Sequence, residues 1–157
     1  MSVSTTRLAA LALLAFAGAA FAADTEPAAP ARDKLAAARA LVAKQQWAAA
    51  IDELKRVNDS DSADWNNLMG YTHRKAKTPD YAAAERYYDA ALRIDPKHRG
   101  ALEYSGELYL MISAPDKARA RLATLEQVCS ARCEEYADLK KAIAEFDAGG
   151  GKPKTTP

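Results

Sequence analysis

This chain has little of what metal, redox or nucleotide chemistry usually requires. It holds only two cysteines, Cys129 and Cys133, and two histidines, His73 and His98. No Gly-rich phosphate loop, G-x-S-x-G elbow or H-E-x-x-H helix occurs, so the local signatures of phosphoryl transfer, serine hydrolysis and zinc peptidase action are missing. A block of one charge is missing too: 22 Lys plus Arg stand against 21 Asp plus Glu, and the two signs alternate along the predicted helix faces. That is the pattern of a solvated surface. Nucleic-acid binding needs a basic stripe to neutralise phosphates, and an anionic membrane surface asks for the same, so both are disfavoured. The expectation is a protein that is not an enzyme and has no cofactor and no metal.

The apolar run near the start, Leu8 to Ala20, has thirteen residues, too few for the roughly 20 that span a bilayer. Arg7 precedes it and Ala20-Phe21-Ala22 follows, an A-x-A cleavage pattern. Residues 1–22 therefore read as a secretory signal peptide, which places the mature chain in the periplasm, or outside the cell as the alternative, without membrane insertion after cleavage. Cleavage removes Arg7 and no acid, leaving 21 of each sign. Residues 23–32, with Pro27 and Pro30, read as a flexible linker, and residues 149–157, opening on three glycines, as a disordered tail. Between them, residues 33–148 suffice for one small domain.

What is present in that stretch is periodic. Trp47, Ala50 and Leu54 are followed by Tyr81, Ala84 and Tyr88, then by Pro115, Ala118 and Leu122, each set thirty-four residues after the last. A repeat of that length marks stacked helix pairs, which a plain helical bundle would not require. The spacing predicts a helix over about 62–75, a Pro-containing turn at 76–80, and a helix over 81–94 ended by Asp95-Pro96. Gly70 and Gly106 are 36 residues apart instead of 34, so the turn at 76–80 carries two extra residues. Tyr136, Leu139, Ile143 and Phe146 form the apolar stripe of a further helix at about 134–147, suited to cap the last unit.

These residues resemble the tetratricopeptide repeat (TPR), whose outline is W-x2-L-G-x2-Y, then A-x3-F, then P. Met69-Gly70, Ala84, Tyr88 and Pro96 match in the middle unit, and Leu102, Gly106, Tyr109, Ala118 and Leu122 in the last. Ala38, Leu41, Ala50 and Leu54 match more weakly in the first. Departures are Asn66 at the aromatic position with Trp65 one residue early, His73 for Tyr, and Ser62 and Ser130 at the Pro positions. The resemblance implies an all-α helix-turn-helix solenoid of three TPR units, at about 33–62, 63–98 and 99–130, plus the C-terminal capping helix.

It also implies a groove lined by the first helix of each unit, with Arg32, Arg39, Asn67, Tyr71, Arg74, Glu103, Glu107 and Leu110 facing a partner. That groove is expected to be basic at one end and acidic at the other, and to hold a protein or peptide partner in the bacterial envelope. Repeated Lys and Asn, which family members use to clamp a terminal carboxylate, are not at these positions. Because exposed substitutions cost little, changing Arg74, Glu103 and Glu107 together to alanine is expected to leave the fold intact.

In an exported chain Cys129 and Cys133 are expected to form a disulfide. Four residues apart on an unbroken helix, β-carbons stand about 5–6 Å apart, farther than a disulfide prefers, so the bridge predicts a break at Ser130-Ala131-Arg132. The rival is a thiol-redox or soft-metal (copper) handling protein using the same two sulfurs, although the spacing is not the two-residue one of thioredoxin-like motifs and no His stands near in sequence. His73 falls at a packing position and His98 beside a turn, so neither calls for a functional role.

Overall fold

The computed structural model describes residues 33–153. The expected signal peptide, the linker with Arg32, and the last four residues of the tail lie outside the described residues. Within them are seven α-helices and no strand: α1 (Ala36–Ala43), α2 (Trp47–Val57), α3 (Ala63–Lys75), α4 (Tyr81–Ile94), α5 (Arg99–Met111), α6 (Pro115–Cys129) and α7 (Glu134–Ala148). They pack in sequence as antiparallel pairs, and α5 also touches α3 and α7 directly.

The helix starts follow from local chemistry. The Ser62 hydroxyl accepts the Trp65 amide at 3.2 Å and an Asp80 carboxylate oxygen accepts that of Ala83 at 2.8 Å, each satisfying an orphan donor of the first turn. His98 caps α5 less usually: its Nδ1 accepts the Ala101 amide at 3.1 Å, which leaves the proton on Nε2, 2.9 Å from Asp64 Oδ1. Asp95, before Pro96, is extended and ends α4.

The turns carry the repeat as well. Three residues join α1 to α2 and α5 to α6, whereas five join α3 to α4, which puts the two extra residues in the turn predicted for them. Gln45 (φ 55°) and Ser113 (φ 58°) occupy equivalent left-handed positions. The Gln46 and Ala114 amides reach back to Leu41 and Tyr109 carbonyls, and those of Gln45 and Ser113 to Val42 and Leu110, closing both helices in the same Schellman pattern.

The core runs as a chain of clusters along the stack. Leu35, Ala38, Leu54, Trp65 and Met69 fill α1 to α3; Ala84, Tyr88 and Leu108 join α4 to α5; Leu102, Tyr109, Leu125, Leu139 and Phe146 lie within α5 to α7. Ala50, Ala84 and Ala118, the residues at equal steps, are each fully buried, small enough for close helix approach. Gly70 and Gly106 serve the same end: a methyl at Gly70 would sit 2.7 Å from the Tyr88 ring, and one at Gly106 2.5 Å from Leu139.

The departures noted at Trp65 and Asn66 have a structural reason. Trp65 is buried and its Nε1 donates to the Leu54 carbonyl at 2.8 Å. Asn66 is buried beside it, its amide donating to the Ser60 and Ser62 carbonyls at 2.7 and 2.8 Å. One residue thus fills the aromatic's space and the next ties down the loop before α3.

Candidate functional site

Asn67, Tyr71 and Arg74 recur at steps of four and three along α3, and Glu103, Glu107 and Leu110 do so along α5, so each set forms a stripe on one helix face. Where these helices meet, the Tyr71 and Tyr104 rings lie 4.8 Å apart, with Trp47 6.0 Å from Tyr71 on the other side. The Arg74 guanidinium stands 5.4 Å from the Tyr71 ring and 5.5 Å from that of Tyr104. The ring faces attract its charge, and Nη1 completes the arrangement with an ion pair to Glu107 Oε2 at 2.7 Å.

Arg74 is accordingly buried, not displayed. Its Nε and the buried Tyr88 hydroxyl have no well-aligned hydrogen bond among the described residues, although the guanidinium and the phenol lie within reach of each other. The two groups are close enough for the guanidinium charge to act on the phenol, but burial is the larger influence and drives the Tyr88 hydroxyl strongly toward its neutral form.

Beyond the Arg74–Glu107 pair the charge is acidic. Glu103, one turn earlier on α5, is 8% exposed and has no hydrogen bond or ion pair among the described residues. Burial, then the neighbouring charges of Glu107, Asp138 and Glu135, push its carboxyl up to about 8, with Arg74 opposing. The half-buried Tyr104 phenol is raised to about 12, by burial first and then by the charge of Glu103. Arg99 offsets part of the acidity through Glu135, at 3.5 Å.

At the other end of the same interface a cavity of about 250 Å³ opens between α3, α5 and α7. Leu110, Met111, Ala142 and Phe146 supply its apolar surface, and Arg74 with Glu107 closes one side. Lys75 and Glu145 stand at its rim. It is more enclosed than the wide depressions near His98 and near Arg93. An apolar floor with charged walls can take a side chain of a bound segment while polar groups fix its orientation.

The structure thus brings Tyr71, Arg74, Glu103, Glu107 and Leu110 together. Asn67 lies at the start of this interface, against Gly100, with its Oδ1 buried and unpartnered. Arg39 is elsewhere: it is exposed on α1 and paired with Asp33 and Asp64 at 3.6 and 3.4 Å. One expectation is overturned. Arg74 and Glu103 are not surface residues, so the triple alanine change would open the interior. Of the basic residues expected in the groove, Arg74 is paired with Glu107 and Arg39 with Asp33 and Asp64, and Arg32 lies outside the described residues.

Sequence reasoning missed Tyr104, Met111 and the part played by α7. Tyr104 follows Tyr71 by thirty-three residues, one short of the repeat step, and that near-coincidence was the available signal. Phe146 reads from the sequence as cap core only, yet it serves both the core and the cavity.

Cys129 and Cys133 are joined in a disulfide with Cα atoms 5.8 Å apart, an ordinary separation for one. The helix breaks where that requires: Ser130 and Ala131 are left-handed, and Cys133 is the residue before α7. Paired in this way, the sulfurs present no thiolate to a client or a metal. Among the described residues no group of three or more His, Cys, Asp or Glu side chains is placed to hold a metal ion, and no helix is long and apolar enough to cross a membrane. Comparison with protein-family models gives no match, and neither does comparison with curated proteins.

Proposed function

We propose that this chain is an exported, non-catalytic adaptor built of three TPR-type units, which holds an extended segment of a protein partner in the bacterial envelope against α3, α5 and α7. The observation that carries the reading is the cleft itself: an apolar cavity walled by Arg74 and Glu107, on a face to which consecutive helix pairs contribute in turn. The equal spacing of Ala50, Ala84 and Ala118 and the matching turns at Gln45 and Ser113 support the repeat assignment. The A-x-A pattern before residue 23 supports export.

The test is photo-crosslinking in cells from single unnatural residues placed at Lys75 or Met111, on the cleft, and at Arg93, which does not line it. One partner captured from the first two positions and not from Arg93 is the expected result. Equal capture from all three, or none from the cleft, would move the binding surface elsewhere or remove it.

A further inference from the structure

The groove between α5 and α7 has two unlike ends. Glu103 lies within electrostatic reach of Glu135 and Asp138 at the first; Leu110, Met111, Ala142 and Phe146 line the cavity at the second. Of the carboxylates, Glu107 is neutralised by Arg74 and Glu135 is shared with Arg99, whereas Glu103 and Asp138 have no ion pair among the described residues. Glu103 is the informative one. A glutamate only 8% exposed, without a hydrogen bond and within electrostatic reach of three further carboxylates, is costly to ionise in the free protein. A cation arriving from outside would relieve that cost.

We infer that this groove binds a segment bearing a lysine or arginine, whose charged head lies against Glu103 and Asp138, and an apolar side chain that fills the cavity at Leu110, Met111 and Phe146. The inference rests on the adaptor reading and names its partner's chemistry. Carboxylates spread along two helices, and not gathered at one point, suit a basic side chain better than a metal ion. Its aliphatic stem can lie along the half-buried Tyr104.

The spacing follows from helix geometry. Glu103 and Leu110 are seven residues apart on α5, which is about 10 Å at 1.5 Å per residue. A segment in polyproline II form sets side chains i and i+3 on one side about 9 Å apart. The basic and apolar residues of the partner therefore stand roughly three positions from each other.

Binding is also linked to protons. The charges of Arg74 from α3, Glu107 on α5, and Glu135 and Asp138 on α7 reach Glu103, beside the Tyr104 phenol, and the acids among them favour its protonated form. An entering ammonium favours the ionised form, so binding expels a proton and tightens as pH rises toward about 8.

The experiment is selection of a phage-displayed random peptide library on the mature protein, followed by polarisation measurements on synthetic copies of the enriched peptides. The expected peptides carry Lys or Arg three positions from Leu, Met or Phe. Replacing that Lys or Arg by norleucine weakens binding to the wild type by about tenfold, and has no effect on the Glu103→Gln/Asp138→Asn variant. Met111→Arg abolishes binding in every case, and Met111→Ala, a milder change, weakens it.

Peptides that depend on Met111 but lack a basic residue, or whose norleucine loss persists in the double variant, overturn the inference and leave the adaptor reading standing. Peptides indifferent to both Met111 variants, or no enrichment over an unrelated protein, overturn the two together. Thermal melts of each variant separate lost binding from lost fold.

Discussion

A buried carboxyl with no counter-ion makes Glu103 the residue whose removal teaches most about this chain. Its pKa in the folded protein is raised from 4.5 to about 8, so the folded state holds a proton that the unfolded state gives up. A raised folded pKa means that stability is fully present below the unfolded value and lost as pH climbs through the folded one. Glu103→Gln keeps the shape and removes the titration. The variant is therefore expected to match the wild type near pH 4 and to exceed it near pH 8.5 by roughly 1–3 kcal/mol, less than the full linkage because the side chain keeps some contact with water. Urea unfolding at the two pH values checks this, and equal differences at both would mean that Glu103 ionises normally in the fold. Arg74 obeys a different logic: paired, stacked on two rings and buried, it supports the interface from within, and its loss would strand Glu107.

At the scale of the helix and turn, two small residues do opposite work. Gly106 lets Leu139 of α7 approach α5 closely, so Gly106→Ala must displace a packed side chain and is expected to cost about 1–3 kcal/mol. Ser113 holds a left-handed backbone position for which glycine is better suited, so Ser113→Gly is expected to add about 0.5–1 kcal/mol. Thermal denaturation of the two variants should move in opposite directions; a gain from Gly106→Ala would mean that α5 and α7 can separate without loss. The same pair shows what was legible. Apolar spacing and Pro placed the α3, α4 and α7 boundaries within a residue or so, and the glycine offset located the longer turn, because periodicity and backbone limits act locally. The left-handed turns at Gln45 and Ser113 carried no glycine signal. The site is less legible: register puts Arg74, Glu103 and Glu107 on one face but does not show which of them are covered. Burial there depends on the Tyr71–Tyr104 contact and on α7, both set by packing between units and invisible to a one-helix pattern.

Across the described residues the helices stack as antiparallel pairs, and the core clusters follow the chain instead of converging on one centre. Stability in such a stack is a sum of neighbouring contacts, so damage at one end need not reach the other. The disulfide sits at the far end, tying α6 to α7. In the chain-entropy account, closing so short a loop is worth about 2 kcal/mol. The Cys129→Ser/Cys133→Ser variant is therefore expected to lose about that much, with the loss concentrated where Leu139, Ile143 and Phe146 cover α5 and α6. Hydrogen exchange reads the distribution directly. Amides of α7 should lose protection first, those of α5 and α6 next, and those of α1 to α3 least. A uniform fall in protection would instead mean that the seven helices unfold as one cooperative body, and that the clasp stabilises every pair equally. The graded result has a consequence for binding: the wall formed by Ala142 and Phe146 belongs to α7, so opening the bridge would loosen the cavity while leaving the Tyr71–Arg74 side of the groove in place.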